Sequence, residues 1–411
     1  MSVCVVGKDS IAATFAAAIA GRVAPVVLCG CPEAAIAAVA AHRCPYPDEP
    51  ELAPMMANVL ADGRLRASSS LAAAVAGARL TIVVARPELD ESGDPDYRWL
   101  DRTTSQVADG LERGAAVLYD GMLGIGDTRR RFGPMLERGS GLRMGQDFGL
   151  AFSPGKSRPG HVLFDLRLRP KLVGAVDAET RAGVMEFLRA WVESAVMGVE
   201  SLEAAEYVAL LESAARRVND ALALEFAELA RSHGIDMHAA KAALDTQTDF
   251  PICTPTLLAG GFAGELATRL LAPASRPTGD SPDASLLGAC RRICDGAIAR
   301  ALQRLEAVGG GLDGKAVLVL CGESQTEDLV QRVPPTRLLA ELHRRGAVPR
   351  LAARLPDQGR EVFDVVVTLD PSLHLAALEL ETFPRCRLLL DGAGTLAPRR
   401  VEAAGIRHVA I

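Results

Sequence analysis

Short apolar runs alternate with longer segments of helical periodicity over the first half of the chain. The runs lie at residues 3–6, 24–30, 78–87, 114–121 and 148–155, and each is bounded by Gly or Pro. Helical patterns such as residues 11–20 and 32–41 separate them. Short buried strands separated by helices are typical of a parallel sheet with both faces covered. We therefore predict a Rossmann-like α/β domain over residues 1–195.

A long helical segment follows. Residues 202–233 contain neither Gly nor Pro, and their apolar positions recur at helical spacing. Such a helix is about 45 Å long, which exceeds what one small domain covers, so we expect it to bury a face against a second domain or subunit. With a second helix at residues 284–308, it predicts a central helical dimerisation domain over residues 196–308.

The strand and helix alternation returns after the glycine-rich joint at residues 309–314. Residues 315–322, 364–370 and 386–392 have the pattern of buried strands, and residues 335–346 that of an amphipathic helix. We predict a second Rossmann-like domain over residues 312–411. The fold class is then α/β, with two doubly wound domains joined by a long central helix.

Composition narrows the partners that we expect. The 45 basic and 51 acidic residues give a net charge of −6, without a long basic run, which disfavours nucleic acid. No apolar stretch reaches the roughly 18 residues of a membrane helix, so we expect no membrane partner and a cytoplasmic protein. Nine scattered cysteines favour reduced thiols, and no His or Cys cluster predicts a metal site.

The first turn departs from the dinucleotide-binding pattern. Where G-x-G-x-x-G is expected, the chain reads GKDSIA, so Gly7 keeps the first position while Asp9 and Ala12 replace the second and third. Asp9 adds bulk and negative charge where a diphosphate must approach the helix N-terminus. The second strand ends in CGC at residues 29–31, without the acid that holds the ribose hydroxyls. We predict that NAD does not bind in the usual way.

Six segments, in order, resemble those of the UDP-glucose/GDP-mannose dehydrogenase family, the nucleotide-sugar 6-dehydrogenases. They are residues 83–100, 124–138, 148–174, 203–236, 255–264 and 388–394. The resemblance implies NAD as cofactor, a nucleotide sugar as substrate and a dimer. The family oxidises a sugar alcohol twice and traps the intermediate aldehyde on a cysteine.

The resemblance places inert residues at the family's catalytic positions. Its Gly-Gly-x-Cys loop falls on Gly260, Gly261 and Ala263, so Ala263 stands where the nucleophile should be. The other positions fall on Ala209 for a lysine, Ser213 for an asparagine, Gly155 for a glutamate and Ala267 for an aspartate. Cys253, ten residues upstream of the expected nucleophile, is the alternative thiol.

The resemblance also draws attention to three cationic residues. Lys156 and Arg158 lie in the segment that the family places there and are candidates for holding a phosphate; the alternative is solvated surface. Arg332 corresponds to a family arginine of the last domain.

Three hypotheses follow. The first is a divergent homologue without the four-electron dehydrogenase activity, which acts as a binding or scaffolding pseudoenzyme in nucleotide-sugar or polysaccharide metabolism. It would form a homodimer, or a heterodimer with an active paralogue, through the helix at residues 202–233. The alternative is an active NAD-dependent oxidoreductase with a rebuilt site. The third is a purely structural chain that binds no ligand.

Overall fold

The chain divides into two compact units, Met1–Glu212 and Ser213–Ile411. The computed structural model describes residues 2–47, 49–90, 92–155, 157, 160–247, 251–258, 261–272, 285–321, 333–352, 362–369, 385–394, 396 and 398–411. The three domain boundaries predicted from the sequence stay a prediction.

The first unit is built on one sheet. Its strands are β1 (Ser2–Val6), β2 (Val26–Cys29), β3 (Leu65–Ala67), β4 (Ala78–Ala85), β7 (Ala116–Gly121), β8 (Gly149–Pro154), β9 (Lys171–Ala175) and β10 (Val196–Gly198), with a small hairpin of β5 (Glu88–Leu89) and β6 (Pro95–Asp96). Among the described residues, the eight sheet strands follow the order β10-β9-β8-β7-β4-β1-β2-β3. This is the expected doubly wound topology, with β1 in the interior of the sheet between β4 and β2.

One feature of this sheet corrects the prediction of a wholly parallel arrangement. Strand β9 pairs with β8 in the antiparallel direction, whereas the other strand pairs of this sheet are parallel. The three-residue strands β3 and β10 escaped the sequence reading because they are short and only partly buried.

Helices cover both faces of this sheet. They are α1 (Ser10–Arg22), α2 (Glu33–Ala40), α3 (Leu52–Ala61), α4 (Leu71–Val75), α5 (Arg98–Gly110), α6 (Gly133–Ser140), α7 (Val162–Leu168) and α8 (Ala178–Arg189), and a π-helical turn at Thr128–Phe132 precedes α6. Alternate residues of β1 enter different cores: Val3 and Val5 share a core with α1, whereas Cys4 and Val6 share a core with α4 and α5. A strand buried on both faces reads as a continuous apolar run, which explains the pattern at residues 3–6.

Helix α9 (Leu202–Ser232) begins in the first unit and continues into the second. The second unit also contains α10 (Met237–Asp245), α11 (Gly261–Leu271), α12 (Leu286–Gly309), α13 (Val333–Arg344) and α14 (Pro398–Ala403). Its strands are β11 (Ala316–Leu320), β12 (Val348–Ala352), β13 (Val365–Thr368), β14 (Leu388–Asp391) and β15 (Arg407–Ala410). These five described strands form a parallel sheet in the order β12-β11-β13-β14-β15.

The fold class predicted from the sequence is confirmed: two Rossmann-like sheets are present, together with a long helix of 31 residues. None of the helices in the described ranges is long and apolar enough to span a membrane.

Candidate functional site

The N-terminus of α1 is capped by the side chain of Asp9. The backbone of Asp9 is extended, and its Oδ1 accepts a hydrogen bond from the Ala12 N–H at 3.2 Å. An aspartate here satisfies a free helix N–H and interacts favourably with the positive end of the helix dipole. In dinucleotide-binding folds this helix end receives the pyrophosphate. The position is therefore taken by a carboxylate of the chain itself, and these residues do not fit a diphosphate.

Gly7 survives for a reason that involves no ligand. A Cβ at position 7 would lie 2.5 Å from the Cβ of Ala12 and 2.9 Å from the carbonyl oxygen of Val84. Ordinary carbon–carbon contact needs about 3.5 Å or more. The close approach of β1, α1 and β4 thus requires glycine at position 7, and packing alone accounts for its retention.

Lys8 links the turn between β1 and α1 to the segment after β4. Its ammonium forms an ion pair with the carboxylate of Glu88 at the start of β5 and lies 5.5 Å from the ring centre of Trp99. The Tyr46 hydroxyl donates to the Lys8 carbonyl at 3.0 Å. Because both partners of the ion pair are about one-third exposed, it contributes little to stability. Its effect is to join two loops at the carboxyl edge of the sheet.

The end of β2 has no ribose-binding acid. Gly30 adopts a φ of +77°, and a Cβ there would lie 3.0 Å from Val6 Cγ1. Cys29 is buried, and its thiol shares a hydrogen bond with the thiol of Cys4, which raises the pKa of Cys4 and lowers that of Cys29. The end of β2 is therefore small and packed.

Glu49 is a buried acid that the sequence analysis missed. Only 4% of it is exposed, and its carboxylate accepts hydrogen bonds from Ser10 Oγ at 3.1 Å, Gly160 N at 2.7 Å and Val162 N at 3.0 Å. It therefore holds the start of α1 against the start of α7. Neighbouring prolines in PYPDEP were the available signal for an ordered turn, but the backbone partners Gly160 and Val162 are 111 and 113 residues away along the chain.

Four predicted site residues lie outside the described residues. They are Lys156, Arg158, Gly260 and Arg332.

The carboxyl edge of β7 and β8 contains a buried ion pair. The Asp120 carboxylate contacts the Lys171 ammonium, and both side chains are at most 4% exposed. Burial raises the pKa of Asp120, opposed by Lys171 and by the Ser153 hydroxyl. Next to the pair, a Cβ at Gly155 would lie 2.7 Å from the Cα of Gly121. A glutamate at position 155 would thus require the backbone at the end of β7 to move.

Glu206 is a second buried acid that sequence reasoning did not find. On α9, its carboxylate accepts hydrogen bonds from Gly126 N at 2.5 Å and Thr128 N at 2.8 Å. Burial raises its pKa to about 7, although these backbone donors act in the opposite direction. Ala209, the predicted clamp position, is buried on the same side of the helix, in the core with Leu202. An acid on the apolar stripe of a helix was the signal in the sequence.

In the second unit, the start of α11 packs against α9 near Ser213. Helix α11 begins at Gly261, whose φ is +54°, and Ala263 is exposed on its first turn. A Cβ at Gly264 would lie 3.1 Å from Arg217 Cβ and 3.5 Å from the Ser213 carbonyl oxygen. The glycine therefore lets α11 approach α9 closely beside Ser213. One turn further along α11, Ala267 is fully buried.

An ion-pair network lies behind this first turn. Glu265 is 2% exposed, and its Oε1 accepts hydrogen bonds from Arg337 at 2.6 Å and Arg269 at 3.1 Å. Asp295 accepts from Arg217 at 3.0 Å and from Arg337 at 3.3 Å. The network links α9, α11, α12 and α13. The carboxylates of Glu265 and Asp295 are both paired with arginines. The network therefore stabilises the packing of the helices and supplies no free acid or base for catalysis.

Cys253 is a weak candidate for a substitute nucleophile. Burial and the neighbouring Asp220 carboxylate raise its pKa to about 11. Because the thiolate is the nucleophilic form, this thiol is almost wholly protonated at neutral pH. Within the described ranges, no group of His, Cys, Asp or Glu side chains could hold a metal ion.

Comparison with known proteins finds a family model that is similar to the N-terminal part of the chain. Residues 1–192 match the model described as "UDP-glucose/GDP-mannose dehydrogenase family, NAD binding domain". The UDP-N-acetyl-D-mannosamine dehydrogenase of Pyrococcus horikoshii is 30% identical over 213 residues, which are 52% of this chain and 50% of that protein. The UDP-N-acetyl-D-glucosamine 6-dehydrogenase of Pseudomonas aeruginosa is 28% identical over 215 residues, with the same coverage. The matched stretch thus spans about half the length of these curated relatives.

Similarity of fold extends further than similarity of sequence. The structure of UDP-D-ManNAc dehydrogenase from Pyrococcus horikoshii superposes with a TM-score of 0.86 at 23% identity, over 100% of this chain and 99% of that one. A UDP-glucose dehydrogenase from Pyrobaculum islandicum gives a TM-score of 0.76 at 20% identity, over 95% and 89%. These likenesses establish the shared fold.

Proposed function

We propose that this protein is a divergent member of the UDP-glucose/GDP-mannose dehydrogenase family without the four-electron dehydrogenase activity. The match over residues 1–192 and the relatives support the family part of this proposal. The protein retains the scaffold of a nucleotide-sugar dehydrogenase and acts as a binding or scaffolding protein. Its proposed ligand is a nucleotide sugar, and its proposed partner is a second copy or an active paralogue.

The observation that carries the proposal is the Asp9 cap. Its carboxylate accepts a hydrogen bond from the Ala12 N–H at the N-terminus of α1, where a dinucleotide would place its pyrophosphate. A diphosphate entering there would have to displace this bond and approach a like charge. Pairs of like charges near a protein surface repel by several kcal/mol at about 4 Å.

The second unit supplies independent support. If Ala263 occupies the nucleophile position, no thiol is available on that turn to trap an aldehyde. The neighbouring Glu265 is committed to Arg269 and Arg337, and Ala267 is buried without a polar group. A covalent two-step oxidation needs these positions to carry a nucleophile and acid–base groups.

The test is a titration of the purified chain with NAD and NADH by calorimetry and NADH fluorescence. The Pyrococcus horikoshii dehydrogenase serves as the positive control. We expect absent or millimolar binding, and no NAD reduction with a panel of UDP- and GDP-sugars. Micromolar binding together with NAD reduction would refute the proposal and favour an active oxidoreductase with a rebuilt site.

Ligand binding without oxidation needs its own measurement. Thermal unfolding is recorded with the same UDP- and GDP-sugars, because a ligand that binds only the folded chain raises its midpoint by mass action. A concentration-dependent rise supports a binding protein. Unchanged midpoints across the panel would leave the purely structural role.

The proposed assembly rests on an apolar stripe along α9. Tyr207, Leu211, Phe226 and Leu229 are 46%, 48%, 38% and 57% exposed. At 100° per residue these four side chains fall within an arc of about 100°, the width of a packing face. Exposed apolar residues aligned along one helix face mark an interaction surface.

Light scattering coupled to size exclusion tests this surface. Leu211→Glu is expected to convert a dimer into a monomer because it places a charge within the stripe. Leu286→Glu is the matched control, since Leu286 is 70% exposed at the start of α12. Two outcomes would show that the stripe is not the interface. The first is an unmodified chain that is monomeric and also fails to bind an active paralogue, and the second is equal behaviour of the two variants.

A further inference from the structure

Helices α9 and α12 bring together an arginine cluster that the proposed function does not use. Among the described residues, Arg231, Arg300 and Arg304 surround the single carboxylate of Glu228. Arg304 Nη1 donates to Glu228 Oε1 at 2.5 Å, Arg300 Nε lies 3.7 Å from the same oxygen, and Arg231 pairs with Oε2. Three guanidinium groups and one carboxylate leave a formal charge of +2.

Arg300 is held in place by its own helix, α12. A Cβ at Gly296 would lie 2.4 Å from Arg300 Nη1, so the guanidinium occupies space that only glycine leaves open. Arg300 Nη2 also donates to the Ile293 carbonyl oxygen at 2.6 Å. The side chain is therefore folded back along α12, and its conformational entropy is already reduced before any ligand arrives.

Part of the hydrogen-bonding capacity of the cluster is unused. Arg231 Nη2 and Arg304 Nε are buried and form no hydrogen bond to the residues that the structure describes. Arg304 is 20% exposed, and burial together with the Arg231 charge lowers its pKa from its usual value. Buried donors without an acceptor are unfavourable, so these nitrogen atoms would gain from an additional acceptor.

The helix dipole of α9 does not account for this excess of positive charge. Arg231 lies in the last turn of α9, where the C-terminal carbonyls attract cations. That end carries the equivalent of about half a negative charge, against a surplus of two positive charges. Arg300 and Arg304 belong to the interior of α12 and are not explained by their own helix end.

We propose that the arginine cluster of Arg231, Arg300 and Arg304 binds a phosphate-type oxyanion, either free phosphate or the phosphate group of a nucleotide. Guanidinium groups bind phosphate oxygens through paired, charge-assisted hydrogen bonds. A dianion would balance the surplus charge, and its oxygens can accept from the exposed parts of Arg231 and Arg300, whose side chains are 36% and 39% exposed. Glu228 orients the arginines but opposes the anion by its own charge.

The experiment measures binding of inorganic phosphate, pyrophosphate and UDP by calorimetry at constant ionic strength, with chloride as the reference salt. Arg300→Ala is expected to weaken binding about tenfold or more, since it removes one charge-assisted contact. Arg344→Ala is the matched control because Arg344 is 72% exposed and pairs with Glu341 in the same unit. The three probes distinguish a free-phosphate site from a nucleotide site.

Glu228→Gln distinguishes an anion site from a purely structural cluster, because only an anion site should bind phosphate more tightly in this variant. Removing the carboxylate raises the surplus charge to three, so oxyanion binding should tighten, and added phosphate should raise the unfolding midpoint more than in the unmodified chain. The proposal is overturned if phosphate acts no differently from chloride, if Arg300→Ala and Arg344→Ala bind alike, or if Glu228→Gln binds no more tightly. NAD binding does not enter this test, so its failure can be distinguished from a failure of the prediction that NAD does not bind.

Discussion

Replacing Asp9 with glycine should restore part of a dinucleotide site. The substitution turns GKDSIA into GKGSIA, removes the side chain that caps α1 and frees the Ala12 N–H, whose present acceptor is Asp9 Oδ1 at 3.2 Å. It also removes a negative charge from the place where the diphosphate would lie. Gly7 and Ala12 remain, so the packing of β1, α1 and β4 is unchanged.

Two magnitudes decide whether the experiment is feasible. Replacing a capping aspartate with glycine costs only a few tenths of a kcal/mol, so the variant should fold. The repulsion between a carboxylate and one phosphate charge at about 4 Å lies between about 1 kcal/mol in water and about 4 kcal/mol near a protein surface. Its removal should therefore lower the Kd for NAD by a factor of about 5 to about 1000.

Calorimetric titration with NAD and with ADP-ribose measures the gain, and urea unfolding measures the cost. Asp177→Gly is the matched control because Asp177 caps α8 through the Thr180 N–H at 2.7 Å, away from the carboxyl edge of β1. We expect comparable losses of stability in the two variants and a gain in affinity only for Asp9→Gly. If Asp9→Gly folds and binds NAD no better than the unmodified chain, the reasoning about this helix end is refuted.

Three further predictions concern the residues around the first unit. Burial raises the pKa of Glu206 from 4.5 to about 7, so between these pH values the folded chain holds a proton that the unfolded chain releases. The free energy of unfolding should therefore fall by about 3 kcal/mol as the pH rises through that window. In urea unfolding between about pH 4.5 and about pH 8, Glu206→Gln should flatten this pH dependence, and an unchanged slope would contradict the assignment. Gly7→Ala should destabilise the chain by about 1–3 kcal/mol through its clash with Ala12, without altering NAD binding, and a thermally neutral variant would show that the close contact relaxes. Lys171→Met should lower the free energy of unfolding by about 3–5 kcal/mol because it leaves the Asp120 carboxylate buried without its ion-pair partner. The double variant with Asp120→Leu should recover most of that loss. Additive losses in a double-mutant cycle would rule out the ion pair.

Much of the fold was predictable because it depends on local patterns. The apolar run at residues 3–6 and the Gly- and Pro-free segment at residues 202–233 gave their element types directly, and the structure has them as Ser2–Val6 and Leu202–Ser232. Strand direction at β9 was not predictable, because pairing with β8 depends on a contact between distant segments. A three-residue edge strand such as β3 carries too few buried residues for its pattern to stand out.

The candidate site divides in the same way. The presence of Asp9 in a glycine position could be read from the sequence, since an aspartate three residues before a helical N–H is also a capping signal. The roles of Glu49 and Glu206 could not be predicted, because the backbone N–H groups that donate to their carboxylates lie 78 to 113 residues away along the chain.

By itself, then, the sequence determined the fold class and most of the longer strands and helices, since these depend on residue identity and short-range periodicity. The replacement of the family's catalytic side chains stays a prediction. Tertiary structure decided what the remaining polar groups do. Asp120 meets Lys171 across 51 residues, and Glu228 meets Arg304 across 76. Burial and electrostatic interaction between such groups depend on distance in space, which the order of residues along the chain does not specify.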